Sequence, residues 1–157
     1  MSGKPQTSDG AAFVLRPAAS GDRETVRALV ESGGMELAND WQDGTVAVDE
    51  AGAVVGYLRI QHTGQGPHVA PVAVRPDWQG RGVGRALMDH ALACAGPLKL
   101  VSQGRSAGFY RAIGCSQIPF EQISGELDED CRHCPDREAC QPVAFVYTGE
   151  VRDDHVR

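Results

Sequence analysis

The stretch Val72-Ala-Val-Arg-Pro-Asp-Trp-Gln-Gly-Arg-Gly-Val-Gly-Arg-Ala-Leu-Met88 constrains the fold more than any other part of the chain. An apolar run ends at Val74 and passes through an Arg-Pro-Asp-Trp turn. Gln79-Gly80-Arg81-Gly82-Val83-Gly84 follows and leads into an amphipathic helical pattern. Glycines at a strand-to-helix turn let backbone approach a ligand closely, and the free N–H groups at a helix N-terminus point at an anion, usually a phosphate. Arg81 and Arg85 add positive charge at the same end. The physical expectation is a pyrophosphate-binding turn.

A glycine-rich turn alone also fits an ordinary tight strand-to-helix connection. Spacing excludes two other phosphate loops. A Walker loop requires Gly-x4-Gly-Lys-Ser/Thr, and no such Lys follows here. A dinucleotide turn requires Gly-x-Gly-x-x-Gly with an acid about 20 residues on. The glycines here alternate, and Lys99-Leu100-Val101 ends in no acid.

The pattern that fits is Gln/Arg-x-x-Gly-x-Gly/Ala, met by residues 79–84. Together with the strand before it and Ala-Leu-Met after it, the stretch resembles the acetyl-coenzyme A loop of the GNAT superfamily of N-acetyltransferases. The resemblance implies that Val72, Ala73 and Val74 pair through backbone with the pantetheine arm and polarise the thioester carbonyl. It implies that Gln79, Gly80, Arg81, Gly82, Val83, Gly84 and Arg85 hold the pyrophosphate. Ser106 and Phe109 are expected to be the remaining cofactor contacts.

Phe109-Tyr110-Arg-Ala-Ile113-Gly114-Cys115 resembles a second GNAT motif, Phe-Tyr-x-x-x-Gly-Phe, with Cys115 where the family usually has Phe. In that family the Tyr hydroxyl protonates the leaving thiolate, so the resemblance assigns Tyr110 as general acid. Phe109 and Ile113, four residues apart, are expected to pack inward, with Tyr110 about 100° round the helix and facing the cofactor. The bland alternative is a half-buried Tyr110 with a wet hydroxyl. An amine must lose its proton before it attacks, so a base or a water chain is required. Glu36 is the first candidate, because the early loop often touches acceptor in this family; Asp40 and His62 stand beside it. For each the solvated surface group is the stronger reading, and His68 reads as structural.

The 157 residues suit one domain with one core, and 41% hydrophobic content supports a globular chain. A formal charge of −6 argues against a nucleic-acid-binding surface, which needs clustered Lys and Arg. No apolar run approaches the ~20 residues of a membrane span. Residues 1–12 read as a disordered tail without an apolar leader core. The expectation is a cytoplasmic protein whose five cysteines stay reduced.

Strands are expected over 13–17, 45–48, 53–60, 68–75, 98–101 and 143–149. Helices are expected from Ser20 or Asp22 to Gly33, over 82–95 and over 106–113, with 36–41 a short helix or an ordered loop. Residues 62–67 read as a glycine-rich loop. On the long helix, Val83, Leu87, Ala91 and Cys94 share a face toward the sheet. The fold class is α/β. It is a single GNAT-type domain over 13–150, with a mixed, mostly antiparallel sheet flanked by helices and a C-terminal tail over 151–157.

A Cys-rich insertion over 126–142 precedes the last strand. Within it, Cys131, Cys134 and Cys140 offer three thiolates to a tetrahedral zinc, with His133, His155 or a water as the fourth ligand. Reduced thiols packing as small hydrophobes is the equal alternative. The opening Leu-Arg-Pro-Ala and Leu-Val-Glu-Ser-Gly-Gly-Met resemble the amino-acid acetyltransferases, N-acetylglutamate synthase among them. The expected activity is acetyl transfer from acetyl-coenzyme A to a small amine, an amino acid among the candidates, with a homodimer as the candidate assembly. The rivals are a coenzyme A sensor without turnover and a peptide N-acetyltransferase.

Overall fold

The structure, a computed structural model, describes residues 6–8, 11–123 and 137–149. It forms two compact units, Met1–Ile60 with Val69–Ala91, and Gln61–His68 with Leu92–Arg157.

In the first unit, β1 (Gln6–Ser8), β2 (Ala11–Pro17), β3 (Thr45–Asp49), β4 (Val54–Thr63) and β5 (Gly66–Val74) are successive neighbours in the sheet. β1, β2, β3 and β4 pair antiparallel. Helices α1 (Arg23–Ser32) and α2 (Val83–Ala95) complete the unit. The alternation of β2 and β3 puts Val14, Val46 and Val48 on one face and buried Phe13 on the other, against Trp78. Val26, Leu29 and Val30 form the buried stripe of α1, and they meet Val46, Val48, Trp41 and Tyr57 in one core cluster. Burying each such side chain contributes about 1.5–3 kcal/mol.

Asp22 fixes where α1 starts. Its carboxylate accepts a bidentate pair from Arg16 at 2.8 and 3.0 Å and the N–H of Ala19 at 2.8 Å. Gly44 closes the segment after α1, where a Cβ would stand 2.6 Å from the Tyr57 ring.

In the second unit, β5 is followed by β6 (Leu98–Ser102), β8 (Val143–Tyr147) and β7 (Ser116–Gln117). β5 and β6 run parallel, with His68 opposite Lys99, and β8 pairs antiparallel with both β6 and β7. Helix α3 (Ala107–Ala112) lies between β6 and β7 in the chain, and the single turn α4 (Arg137–Cys140) precedes β8. Leu98, Leu100, Phe145 and Tyr147 are the buried faces of β6 and β8.

Several expectations need correction. Strand pairing reaches into residues 1–12, where a tail was expected, because Gln6, Thr7 and Ser8 find partners in Phe13, Ala12 and Ala11. Residues 62–67 are mostly strand. Thr63 Oγ1 accepts the N–H of Gln65 and donates to the Gly66 carbonyl, so the turn closes within a few residues. The segment 36–41 is the loop of the two options, ending in a 3-10 turn at Trp41–Asp43. Cys94 is exposed, since the buried face of α2 runs through Val83, Gly84, Leu87, Met88 and Ala91 and stops before the last turn. The last strand ends at Tyr147. Residues 126–136 and 151–157 lie outside the described residues.

Candidate active site

β5 runs out at Val74 into the 3-10 turn Pro76–Trp78, whose first residue supplies a preset φ. Gly80 and Gly82 then take φ of +78° and +89°, the left-handed region where side chains are strained. The Gly82 carbonyl accepts the Ala86 N–H at 3.0 Å, so the first turn of α2 closes there. The N–H groups of its opening residues consequently have no partner within the helix. Open space faces Gly80, where an added Cβ would meet nothing within 4 Å. A turn of this kind is a ready anion site.

The flanking side chains hold that turn in place. The Gln79 amide donates to the Val74 carbonyl at 3.1 Å, tying the glycine run back to the end of β5. The Arg81 guanidinium lies 5.2 Å from the Trp78 ring, and Trp78 in turn meets Phe13 edge to face. Arg85 pairs with Asp89 one turn along α2 at 4.0 Å. Val72, Ala73 and Val74 are half-buried, and Val83 and Gly84 are buried under the turn.

On α3 the expected orientation is partly reversed. Ala107, Tyr110 and Ile113 are buried, and Phe109 is 41% exposed. The inward stripe therefore runs at three-residue spacing, and Phe109 is not in it. Tyr110 packs against Phe145 at 5.9 Å and Phe109 at 5.0 Å between ring centroids. Its hydroxyl forms no hydrogen bond among the described residues. Burial raises its pKa, so the phenol holds its proton firmly. Cys115 is buried, and burial pushes its thiol up to about 12; it fills the place as a small apolar group. Ser106 is half-buried at the end of the 3-10 turn that leads into α3.

Of the base candidates, Glu36 and His62 are exposed. Asp40 is bound to Arg59 Nε at 2.6 Å, and that bond holds its carboxyl below the usual range. His68, wholly buried, donates from Nδ1 to the Gly66 carbonyl at 2.9 Å, and burial lowers its pKa. The Arg59 pairing went unread in the sequence. Its signal was a charged residue in the otherwise apolar run of β4.

Cys131, His133, Cys134 and His155 lie outside the described residues; Cys140 is half-buried. Among the described residues no three His, Cys, Asp or Glu side chains cluster as metal ligands. No helix among them is long and apolar enough to cross a membrane.

Residues 41–114 match the family described as acetyltransferase (GNAT) domain. The chain is 29% identical over 104 residues to an uncharacterized N-acetyltransferase of Chlorobaculum tepidum, covering 64% of this chain and 67% of that protein. It is 38% identical over 72 residues to a peptidyl-lysine N-acetyltransferase of Escherichia coli K12, covering 44% and 46%. Its fold is similar to that of N-acetylglutamate synthase from Neisseria gonorrhoeae, solved with coenzyme A and N-acetyl-glutamate. There the TM-score is 0.72 at 17% identity, over 88% of this chain and 35% of the synthase. The chain thus spans about a third of the synthase's length.

Proposed function

We propose that the chain carries a GNAT-type acetyltransferase domain and moves the acetyl group of acetyl-coenzyme A to a primary amine of a small molecule of the amino-acid class. The observation that carries the reading is the left-handed pair Gly80 and Gly82 at the opening of α2. Its unpartnered N–H groups suit the coenzyme pyrophosphate. The likeness to a synthase solved with N-acetyl-glutamate supports an amino-acid acceptor.

In this reading the backbone of Val72, Ala73 and Val74 pairs with the pantetheine arm and polarises the thioester. The neutral amine attacks, a tetrahedral intermediate collapses, and Tyr110 gives its proton to the departing thiolate. A buried phenol whose hydroxyl is free among the described residues supports that role. Alignment of amine and thioester supplies up to ~7–11 kcal/mol in the ideal case. The base is Glu36, His62 or a water chain. Asp40, with its pKa lowered by Arg59, is the weakest base of the set.

A second reading, transfer to a lysine side chain of a protein, is favoured by the identity to a peptidyl-lysine acetyltransferase. The Cys-x2-Cys spacing separately supports zinc at Cys131, Cys134 and Cys140 with His133, which metal analysis of protein purified without chelator tests.

The test is calorimetric titration with acetyl-coenzyme A, then release of free coenzyme thiol with L-glutamate, other amino acids and a lysine peptide. Release with an amino acid supports the first reading, and release with the peptide alone supports the second. Binding without release makes the protein a coenzyme A sensor. Absence of binding ends the proposal.

A further inference from the structure

Two side chains on one face of β4 pin the segment between α1 and β3. The buried Tyr57 hydroxyl donates to the Trp41 carbonyl at 2.7 Å. Two residues on, Arg59 Nε donates to Asp40 Oδ1 at 2.6 Å, and its Nη1 donates to the Ala70 carbonyl. The Arg59 side chain is only 12% exposed, whereas that of Asp40 is 50% exposed. The Arg59 side chain is thus largely covered, and it meets the more exposed carboxylate at the surface.

That asymmetry is informative. An exposed ion pair does little, because water competes for both partners. A guanidinium withdrawn from water is held to whatever partners it has, and its planar fork fixes the angle between them. Here the partners belong to two different pieces of chain. Asp40 closes the irregular segment that follows α1. Ala70 lies on β5, just ahead of Val72, Ala73 and Val74. Between Met35 and Asp40 the chain has no helix or strand of its own to hold its course.

We propose that Arg59 is a positioning residue of the transfer site: by gripping Asp40 and the Ala70 carbonyl with one guanidinium, it sets where the segment after α1 lies against the strand assigned to the thioester. The proposal rests on the acetyl-transfer reading for its choice of β5 as the cofactor strand. Stiffening of β5 by a bound cofactor would pass through the Ala70 carbonyl and Arg59 to the loop. Fixing a loop in this way is a matter of alignment, and misplacement by 1 Å costs up to about 10²-fold in rate.

The test is hydrogen exchange on the full chain, with and without saturating acetyl-coenzyme A. In the wild type, cofactor should slow exchange over 80–85 and also over 41–44. Arg59→Met, which keeps length and removes the fork, should keep the slowing at 80–85 and lose it at 41–44. Arg59→Lys should keep only part of it, because an ammonium cannot reproduce the two-way grip. If the Met variant does not fold, Asp40→Asn weakens the same link from its exposed end and should give the same separation. Slowing at 41–44 that survives in the folded variant overturns the proposal, as does its absence from wild type that protects 80–85. No protection at 80–85 in wild type removes the acetyl-transfer reading, and this inference with it.

Discussion

A methyl group built on Gly56 would stand 2.7 Å from Cγ1 of Val83. Leu87 Cδ1 would be 3.2 Å away, so the backbone of β4 is in direct contact with the first turn of α2. The missing side chain is what lets the turn after β5 sit this close to the sheet. Gly56→Ala should therefore push α2 outward. Overpacking of this sort costs about 1–3 kcal/mol. A thermal melt should register that loss, and calorimetry should show weaker binding of acetyl-coenzyme A.

Gly82 tests the turn without touching the core. Alanine at φ +89° is strained by roughly 1–2 kcal/mol, a strain the loop relieves by leaving the left-handed conformation. Gly82→Ala should weaken acetyl-coenzyme A binding about tenfold, equivalent to 1.4 kcal/mol. Unaltered affinity in the folded variant would move the phosphate elsewhere.

Tyr110→Phe separates chemistry from packing. The ring contacts with Phe145 and Phe109 survive, and the hydroxyl has no hydrogen bond to lose among the described residues. Stability should thus hold or rise slightly, since a buried hydroxyl without a partner is unfavourable. The turnover number should fall, by ~10²–10⁴-fold if protonation of the thiolate limits the rate. A variant with wild-type turnover would reduce Tyr110 to a core residue.

The glycine turn was legible because its geometry is local. Alternate glycines between an apolar run and a helical pattern admit few backbone paths, and Gly80 and Gly82 take the left-handed one. The face of α3 was less legible, for a tertiary reason. Phe109 and Ile113 make a good stripe on a long helix, but α3 stops at Ala112 and the chain turns at Gly114. On so short a helix, β8 decides what is buried, and Phe145 takes Tyr110 in place of Phe109. The Asp40 to Arg59 bond spans 19 positions, and no periodicity reports on a partner that far away. Cys94 read as core because helical spacing continues past the point where α2 still has sheet beneath it.

Asp22 predicts how the fold responds to acid. Its hydrogen bonds from Arg16 and Ala19 depress its carboxyl pKa in the folded state. A depressed folded value means a contribution present in full above the unfolded pKa of about 3.9 and lost as pH falls through the folded value. Asp22→Asn should lower the melting temperature at neutral pH, and the gap to wild type should close in that acid window. Hydrogen bonds to a charged group contribute about 1.5–3 kcal/mol, and the lower end is expected because Arg16 is 39% exposed. A gap constant down to pH 2 would assign the effect to packing.

The place of β8 bears on how the molecule is made. Among the described residues it is the last strand in sequence, yet it lies between β6 and β7, both of which leave the ribosome before it. Until Val143–Tyr147 emerges, no strand bridges those two, and Leu98 and Leu100 lack their cross-strand neighbours Tyr147 and Phe145. The sheet of the second unit therefore closes only when this later strand arrives, while the strands of the first, paired with near neighbours in sequence, can close as they appear.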